Sequence, residues 1–178
     1  MTDKYAVFGI PIAHARSPMI HQMFAEQTGQ RMEYASQLVE ENNFTTAADD
    51  FFFNGGKGLN VTGPVKQGAF DYASNKTKRA LLAGAVNTLI MQPDGTVLGD
   101  TTDGVGLVGD IINQLGWTIK AKRVLVLGAG GAVKGILEPL LAQQPQHIVI
   151  ANRTLSKSLK LAKDFAELGY LLGCSLEM

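Results

Sequence analysis

The chain has very little cysteine, and this excludes several kinds of protein. Cys174 is the only cysteine among 178 residues, so no internal disulfide can form and a disulfide-stapled secreted domain is excluded. The three histidines show no metal-ligand spacing, and we therefore predict no metal site. The segment from Met1 to Lys4 lacks the features of a secretory signal, so we expect a cytoplasmic protein.

Long apolar runs and net charge are also lacking. The longest apolar runs, such as the one from Ala80 to Val86, fall well short of the ~20 residues that a membrane span needs. The 16 basic residues balance 16 acidic ones and are spread along the chain, which predicts no nucleic-acid surface. A hydrophobic content of 46% is enough to form a globular core. A small-molecule ligand is therefore expected.

Short apolar runs alternate with longer amphipathic stretches along the whole chain. This pattern is typical of βαβ units that form a parallel sheet, and it predicts the α/β class. We expect an amino-terminal α/β domain over 1–102 with a mixed, mainly parallel sheet. A partial Rossmann-like domain is expected to follow over 103–178.

Turn residues and apolar spacing divide the first domain into strands and helices. We predict strands at 5–9, 32–39, 58–61, 86–91 and 96–98, and helices at 17–29, 43–53, 65–73 and 77–83. Ser17 is the expected N-cap of the first helix, with Pro18 at its first position. Met19 and Met23 lie four residues apart and are predicted to be core residues of that helix.

The second domain is predicted to begin with a helix that connects the two domains. We expect this helix over 103–115, strands at 124–127 and 147–151, and a helix over 132–143 between them. The tail from residue 170 to 178 can supply at most a third strand. The 124–127 strand is then expected at an open edge with apolar faces, and such an edge predicts oligomerisation or strand exchange.

A glycine-rich turn follows the apolar strand 124–127. Gly128 permits a tight turn, and Gly130 lets the backbone approach a pyrophosphate at the start of the next helix. The expected cofactor-binding residues of this turn are Gly128, Ala129, Gly130, Gly131 and Ala132. Val133 stands at the third position of the fingerprint, where glycine or alanine is usual. The alternative interpretation is a strand-to-helix turn without a ligand.

The next strand ends in a basic segment. Asn152, Arg153 and Thr154 follow it directly, and Lys157 comes shortly after. An NAD site usually has an acidic residue here, whereas an NADP site must neutralise a 2′-phosphate. The order of strand, glycine turn, helix, strand and basic segment predicts a site for NADP. A helix-capping loop with solvated charges is the alternative.

Three polar clusters lie where strands of the first domain are predicted to end. They are His14 to Ser17, Asn60 to Lys66, and Asn87 with the segment from Asp100 to Asp103. A lysine and an aspartate together can exchange a proton with a carbonyl or hydroxyl group. Spacing alone leaves open whether Lys66 and Asp103 meet. The alternatives are a solvated lysine at a helix start and an aspartate N-cap.

Several motifs, taken in order, closely resemble the shikimate dehydrogenase family. They are Pro11-Ile12-x-His14 before Ser17-Pro18, Asn60-Val61-Thr62-x-Pro64-x-Lys66, Ala83-Gly84-Ala85-Val86-Asn87-Thr88, Gly99-Asp100-x-Thr102-Asp103-Gly104, Gly128-Ala129-Gly130-Gly131-Ala132 and Asn152-Arg153-Thr154. The resemblance implies the reversible reduction of 3-dehydroshikimate to shikimate with NADPH in aromatic amino-acid biosynthesis.

The resemblance also implies roles for individual residues. Lys66 and Asp103 match the family's catalytic pair, with Lys66 as the proton donor and acceptor. Ser17, Thr62 and Asn87 match positions that hold the substrate carboxylate and hydroxyls. Asn152, Arg153 and Thr154 match the clamp on the 2′-phosphate.

The chain departs from the family pattern at several residues and in length. Ala15 stands where serine is usual, and Thr101 stands where asparagine is usual. The last third of the family's usual length is absent. Two alternatives therefore stay open: a quinate/shikimate dehydrogenase that uses NAD, and a non-catalytic module that binds nucleotide or substrate without turnover.

Overall fold

The computed structural model describes residues 2–177, which divide into two compact units. The first unit ends at Thr101 and the second begins at Thr102. A six-stranded sheet forms the centre of the first unit, and a three-stranded sheet forms the centre of the second. The predicted α/β class is thereby confirmed. No helix within residues 2–177 has the length and apolar character needed to cross a membrane.

The first unit has a mixed sheet with the strand order β2-β1-β3-β5-β6-β4. Its elements are β1 (Asp3–Gly9), α1 (Ser17–Thr28), β2 (Met32–Leu38), a 3₁₀ turn (Glu41–Asn43), α2 (Phe44–Phe53), β3 (Gly56–Val61), α3 (Lys66–Tyr72), β4 (Asn75–Lys76), α4 (Lys78–Ala83), β5 (Thr88–Met91) and β6 (Val97–Asp100). Strand β1 runs parallel to β2 and β3, whereas β5 is antiparallel to β3 and β6. The carboxyl ends of β1 and β3 therefore lie at one edge of the sheet.

The core of the first unit lies between the sheet and helices α2 and α3. Phe8 of β1, Phe44 of α2 and Leu59 of β3 are almost completely buried. The rings of Phe8 and Phe44 meet edge to face, with centroids 6.2 Å apart. Such contacts bury large apolar areas and stabilise the central strands. The strand ends that carry the polar clusters are thus fixed by a well-packed core.

Helix α1 differs from the sequence prediction at its start and on its outer face. Arg16 is the N-cap and Ser17 is the first helical residue, so the predicted N-cap was wrong by one position. The helix ends next to Gly29, close to its predicted end, and Gly29 adopts the left-handed conformation. Met19 and Met23 are 56% and 51% exposed, so their predicted place in the core was wrong. Their spacing correctly indicates an apolar helix face, but spacing cannot show what covers that face.

The second unit has a parallel sheet with the strand order β7-β8-β9. Its elements are α5 (Asp103–Gly109), a π-helical segment (Asp110–Gln114), β7 (Arg123–Leu127), α6 (Gly131–Ala142), β8 (His147–Asn152), α7 (Leu155–Asp164), a 3₁₀ turn (Ala166–Leu168) and β9 (Leu171–Ser175). Strand β9 confirms that the tail supplies a third strand. Helix α5, which was predicted to connect the two domains, lies in the second unit and packs against α6.

Strand β7 lies at an edge of the sheet within residues 2–177. Val126 is buried, whereas Leu125 and Leu127 are 63% and 68% exposed. The sequence Val-Leu-Val-Leu is typical of a strand that is covered on both faces, and here only one face is covered. The expectation of an open, apolar edge is confirmed.

Candidate functional site

Thr62 is held where strands β1 and β3 end. Its backbone N–H donates a hydrogen bond of 2.9 Å to the carbonyl of Phe8. A β-carbon at Gly9 would overlap the methyl group of Thr62, so the lack of a side chain at Gly9 makes this close approach possible. The Thr62 side chain is thereby placed, exposed to solvent, at the carboxyl edge of the sheet.

Asn87 is the most tightly held of the predicted substrate-binding residues. It is only 6% exposed and lies directly before β5. Its carbonyl accepts a 2.7 Å hydrogen bond from the N–H of Val61, and its own N–H donates to the carbonyl of Asp100 at 3.0 Å. The Thr88 hydroxyl donates to Asn87 Oδ1 at 2.8 Å. Both the main chain and the side chain of Asn87 are therefore fixed.

Lys66 begins helix α3, in a position that places it near Asn87. Its carbonyl accepts a hydrogen bond of 3.3 Å from the N–H of Val86, the residue that precedes Asn87. The preceding residue, Val65, is 1% exposed and fastens the start of the helix to the core. The Lys66 side chain is half-buried. Thr62, Lys66 and Asn87 are thus carried by neighbouring segments of the first unit.

Asp103 lies in the second unit, where it is the first residue of α5. Thr102 is the N-cap of this helix, so the alternative that Asp103 is the cap was wrong. The side chain of Asp103 is exposed. A carboxylate in the first turn of a helix also interacts favourably with the helix dipole.

An ion pair holds the chain just before Thr102 and Asp103. Asp100 accepts hydrogen bonds from the Arg79 guanidinium, from the Thr77 hydroxyl at 2.6 Å and from the N–H of Thr101 at 2.8 Å. Burial alone would raise the pKa of Asp100, but these donors outweigh it and hold the pKa below its ordinary value. Thr101 is itself buried. The end of β6 is therefore rigidly defined.

Two aromatic residues near Ser17 belong to none of the sequence motifs. An interaction with the Ser17 side chain opposes the rise that burial causes in the pKa of Tyr34 on β2. The Tyr34 hydroxyl donates to Asn60 Oδ1 at 2.6 Å, and the ring of His21 stacks on the Tyr34 ring at 4.2 Å. Sequence reasoning missed Tyr34 and His21, because only the strand order β2-β1-β3 brings Tyr34 near Asn60.

The glycine-rich turn after β7 is open on its outer side. Gly128 has a φ of +104°, a conformation that side chains disfavour, and its N–H donates to the Ala151 carbonyl at 2.8 Å. No atom outside the turn lies within 4 Å of the position that a β-carbon would take at Gly130 or Gly131. Helix α6 begins at Gly131. An anionic group therefore has room to approach the amino-terminal end of α6.

The basic segment after β8 lies at the same edge of the sheet as the glycine turn. Leu127 at the end of β7 is paired with Ala151 of the parallel strand β8. The Asn152 amide donates to the Thr154 carbonyl at 2.9 Å and so closes the turn around Arg153. Thr154 is the N-cap of α7, but its side chain makes no capping hydrogen bond. Arg153, Thr154 and Lys157 are all exposed.

Together, the two units define an α/β protein in which a polar strand-end cluster precedes a dinucleotide-binding type of βαβ unit. The family profile "Shikimate dehydrogenase substrate binding domain" matches residues 7–89, and "Shikimate / quinate 5-dehydrogenase" matches residues 110–173. The chain belongs to the shikimate dehydrogenase family.

Individual relatives agree with this membership. The chain is 59% identical over 169 residues to a protein of Cellvibrio japonicus named "Shikimate dehydrogenase (NADP(+))", covering 95% of this chain and 61% of that protein. A crystal structure of an Ael1 enzyme from Pseudomonas putida is 40% identical, with a TM-score of 0.94, and the match covers 99% of this chain and 64% of that one. A shikimate dehydrogenase in complex with NADP⁺ is 31% identical, with a TM-score of 0.89 and coverages of 99% and 62%.

The chain is shorter than these relatives. It spans about three fifths of the length of the curated relatives that it matches, from 61% to 65%. The residues matched by the two family profiles contain most of the first unit and the nucleotide-type βαβ unit of the second.

Proposed function

We propose that the chain acts as an NADP-dependent shikimate dehydrogenase, which reversibly reduces 3-dehydroshikimate to shikimate. The observation that carries this proposal is the strand-end cluster of Thr62, Lys66 and Asn87, with Ser17 in the same unit. In the proposed arrangement, residues 1–102 form the substrate-binding and catalytic domain. Residues 103–178 form the part of the NADP-binding domain that this chain contains, and the cytoplasm is the proposed compartment.

The proposed substrate site uses short hydrogen-bonding side chains. Ser17 faces the substrate carboxylate, while Thr62 and Asn87 hold hydroxyl groups of the ring. Neutral hydroxyl and amide groups suit this task, because they can donate to a carboxylate and both donate to and accept from an alcohol. The hydrogen-bonded main chain of Asn87 and the close approach of Thr62 to Gly9 support such positioning.

Lys66 and Asp103 form the proposed catalytic pair. Lys66 donates a proton to the ketone oxygen during reduction and takes it back from the hydroxyl group during oxidation, and Asp103 assists this transfer. NADPH, when bound, supplies the hydride that adds to the carbonyl carbon. A lysine can also polarise the carbonyl oxygen electrostatically.

The proposed cofactor site combines the glycine turn and the basic segment. Gly128, Ala129, Gly130, Gly131 and Ala132 form the turn whose exposed backbone fits a pyrophosphate. Asn152, Arg153, Thr154 and Lys157 would hold the 2′-phosphate of NADP. Strand β8 ends without an acidic residue, which favours NADP over NAD and thus argues against the NAD-using quinate/shikimate alternative.

The first test is the initial rate of shikimate oxidation with NADP⁺, followed at the nicotinamide absorbance band. Wild-type chain is compared with Lys66→Ala and with Lys120→Ala, a control at an exposed lysine. Loss of turnover only in Lys66→Ala supports the proposal. An absence of turnover in a wild-type chain that is folded by circular dichroism contradicts enzymatic activity of this chain.

A non-catalytic binding module is the second candidate. Ala15 and Thr101 favour it, because each replaces a side chain that the family usually has at that position. Thermal unfolding with and without NADP⁺ distinguishes the two candidates, since a ligand that binds the native state raises the melting temperature. A rise in melting temperature without turnover supports the binding module.

We also propose that the chain self-associates through the open edge of β7. An apolar edge strand offers unpaired backbone groups to another chain, and Leu125 and Leu127 add exposed apolar area there. Light scattering on the wild type and on Leu125→Lys tests this proposal, with the exposed Leu81→Lys on α4 as control. A wild type that is monomeric at all concentrations contradicts it.

A further inference from the structure

We propose that Tyr34 is a positioning residue of the substrate site, linked to Ser17 at one end and through Asn60 and Thr88 to Asn87 at the other. The inference rests on the proposed function, because it concerns how the proposed substrate-binding residues are oriented. Tyr34 lies on β2, Ser17 on α1 and Asn60 on β3, while Thr88 begins β5 and Asn87 directly precedes it, so this series of contacts crosses the sheet. Tyr34, Asn60 and Thr88 also line a common cavity of about 470 Å³.

The hydrogen bonds that link Tyr34 to Asn87 have a defined direction. The single hydroxyl hydrogen of Tyr34 is directed to Asn60 Oδ1 at 2.6 Å. The amide group of Asn60 is therefore oriented with its nitrogen towards Thr88 Oγ1, at 3.5 Å. Thr88 in turn donates to Asn87 Oδ1 at 2.8 Å. The oxygen of the Asn87 amide is thus committed to Thr88, and this sets which way the amide nitrogen points.

Ser17 lies at the other end of this series of contacts. Its interaction with Tyr34 lowers the pKa of the phenol, against the larger effect of burial. A serine hydroxyl hydrogen rotates freely when a stronger acceptor such as a carboxylate arrives, while the oxygen keeps its place. Tyr34 therefore interacts with the side chain that is proposed to face the substrate carboxylate.

Tyr34 is itself held firmly enough to act in this way. The ring of His21 stacks on it with centroids 4.2 Å apart and an interplanar angle of 5°. Burial raises the pKa of Tyr34 to about 12 against the smaller opposing effect of Ser17, so the phenol remains a donor near neutral pH. Burial lowers the pKa of His21, which keeps the stacked imidazole neutral there.

The test compares Tyr34→Phe with the wild type in binding shikimate and its methyl ester by calorimetry. The ring is retained, while the hydroxyl that joins Ser17 to Asn60 is lost. We expect the dissociation constant for shikimate to rise roughly ten-fold, and the constant for the ester to rise less, because the ester lacks the charged carboxylate that Ser17 faces. Tyr72→Phe is the matched control, since the Tyr72 hydroxyl donates at 2.9 Å to Asp49 elsewhere in the same unit.

A second variant tests the contacts at the Asn87 end of this series. Thr88→Val keeps the shape of the side chain but removes the donor to Asn87, so it should weaken the binding of both ligands to the same extent. A Tyr34→Phe variant that binds both ligands as the wild type does, or loses both equally, contradicts the positioning role.

Failure of the proposed function gives a different result. In that case the wild type binds neither ligand, and the side-chain amide signals of Asn87 in nuclear magnetic resonance spectra of the ligand-free chain test the inference alone. A shift of these signals in Tyr34→Phe, but not in Tyr72→Phe, supports the chain of contacts. Unchanged signals overturn it.

Discussion

The guanidinium of Arg79 binds the carboxylate of Asp100 through two parallel hydrogen bonds. Nε donates to Oδ1 at 2.7 Å, and Nη2 donates to Oδ2. The side chain of Asp100 is 11% exposed, and Thr77 and the backbone of Thr101 complete its shell of donors. Two-pronged pairs of this kind fix geometry as well as charge. The pair joins α4 to the end of β6, which makes it a structural support for the segment that leads to Thr102 and Asp103.

We therefore expect Asp100→Asn to destabilise the first unit. The substitution removes the charge from a carboxylate that accepts several hydrogen bonds, at a cost of about 1.5 to 3 kcal/mol in the free energy of unfolding. Urea unfolding measures this loss. Asp164→Asn is the control, because its pair with Lys160 is exposed and should contribute less than about 0.5 kcal/mol. Equal effects of the two substitutions would contradict the structural role of Asp100.

The same carboxylate predicts a dependence of stability on pH. The pKa of Asp100 is lower in the folded chain than its ordinary value of 3.8, so the unfolded chain binds a proton first as the pH falls. The stabilisation by Asp100 is complete well above pH 3.8 and is lost as the pH falls through the folded pKa. Unfolding midpoints measured between neutral and acid pH should fall less steeply for Asp100→Asn than for the wild type. Parallel curves would show that Asp100 does not contribute.

Arg153 is expected to distinguish between the two nicotinamide cofactors. Removing a charged donor to a 2′-phosphate costs roughly ten- to a hundred-fold in affinity. Arg153→Ala should therefore weaken the binding of NADP⁺ by this factor and leave the binding of NAD⁺ almost unchanged. Lys163→Ala, at an exposed lysine in the last turn of α7, provides the control for a general loss of positive charge. Equal losses for both cofactors would contradict a contact with the 2′-phosphate.

The two glycines of the turn are expected to respond differently to alanine. Gly128 has a φ of +104°, so Gly128→Ala should lower the free energy of unfolding by about 1 kcal/mol or more. Gly130 has a φ of −92° and open space around it, so Gly130→Ala should leave stability unchanged and weaken nucleotide binding. Thermal unfolding with and without NADP⁺ separates these effects. A stable Gly130→Ala variant with wild-type nucleotide binding would argue against a close approach of the cofactor at this residue.

Local signals in the sequence account for much of the fold. The apolar run before Gly128 predicts a strand, and the pattern that ends near Gly29 predicts a helix, and the structure confirms both elements. Lys66 and Asn87 lie within one residue of the predicted starts of their helix and strand, Lys66 as the first residue of α3 and Asn87 directly before β5. These features depend on neighbouring residues in the chain, which is why a single sequence is enough to predict them.

Other features depend on contacts between distant residues. Strand β4 contains only Asn75 and Lys76, and it exists because β6 pairs with it. Tyr34 approaches Asn60 because the sheet order brings their strands close together, and no spacing in the sequence expresses this order. The exposure of Met19 likewise depends on what packs against α1, which helical periodicity does not reveal.

The position of β7 has a consequence for how a nucleotide would be enclosed. The strands β7, β8 and β9 lie in the sheet in the order in which they occur along the chain, so each new strand is added at the edge opposite to the outer edge of β7. Any strand paired with the outer edge of β7 would reverse that direction, and crevices of open α/β sheets form at such reversals. Within residues 2–177, the glycine turn has the β8 loop as a wall on one side only. A partner strand beside β7 would provide the opposite wall, so strand pairing and nucleotide binding should strengthen each other.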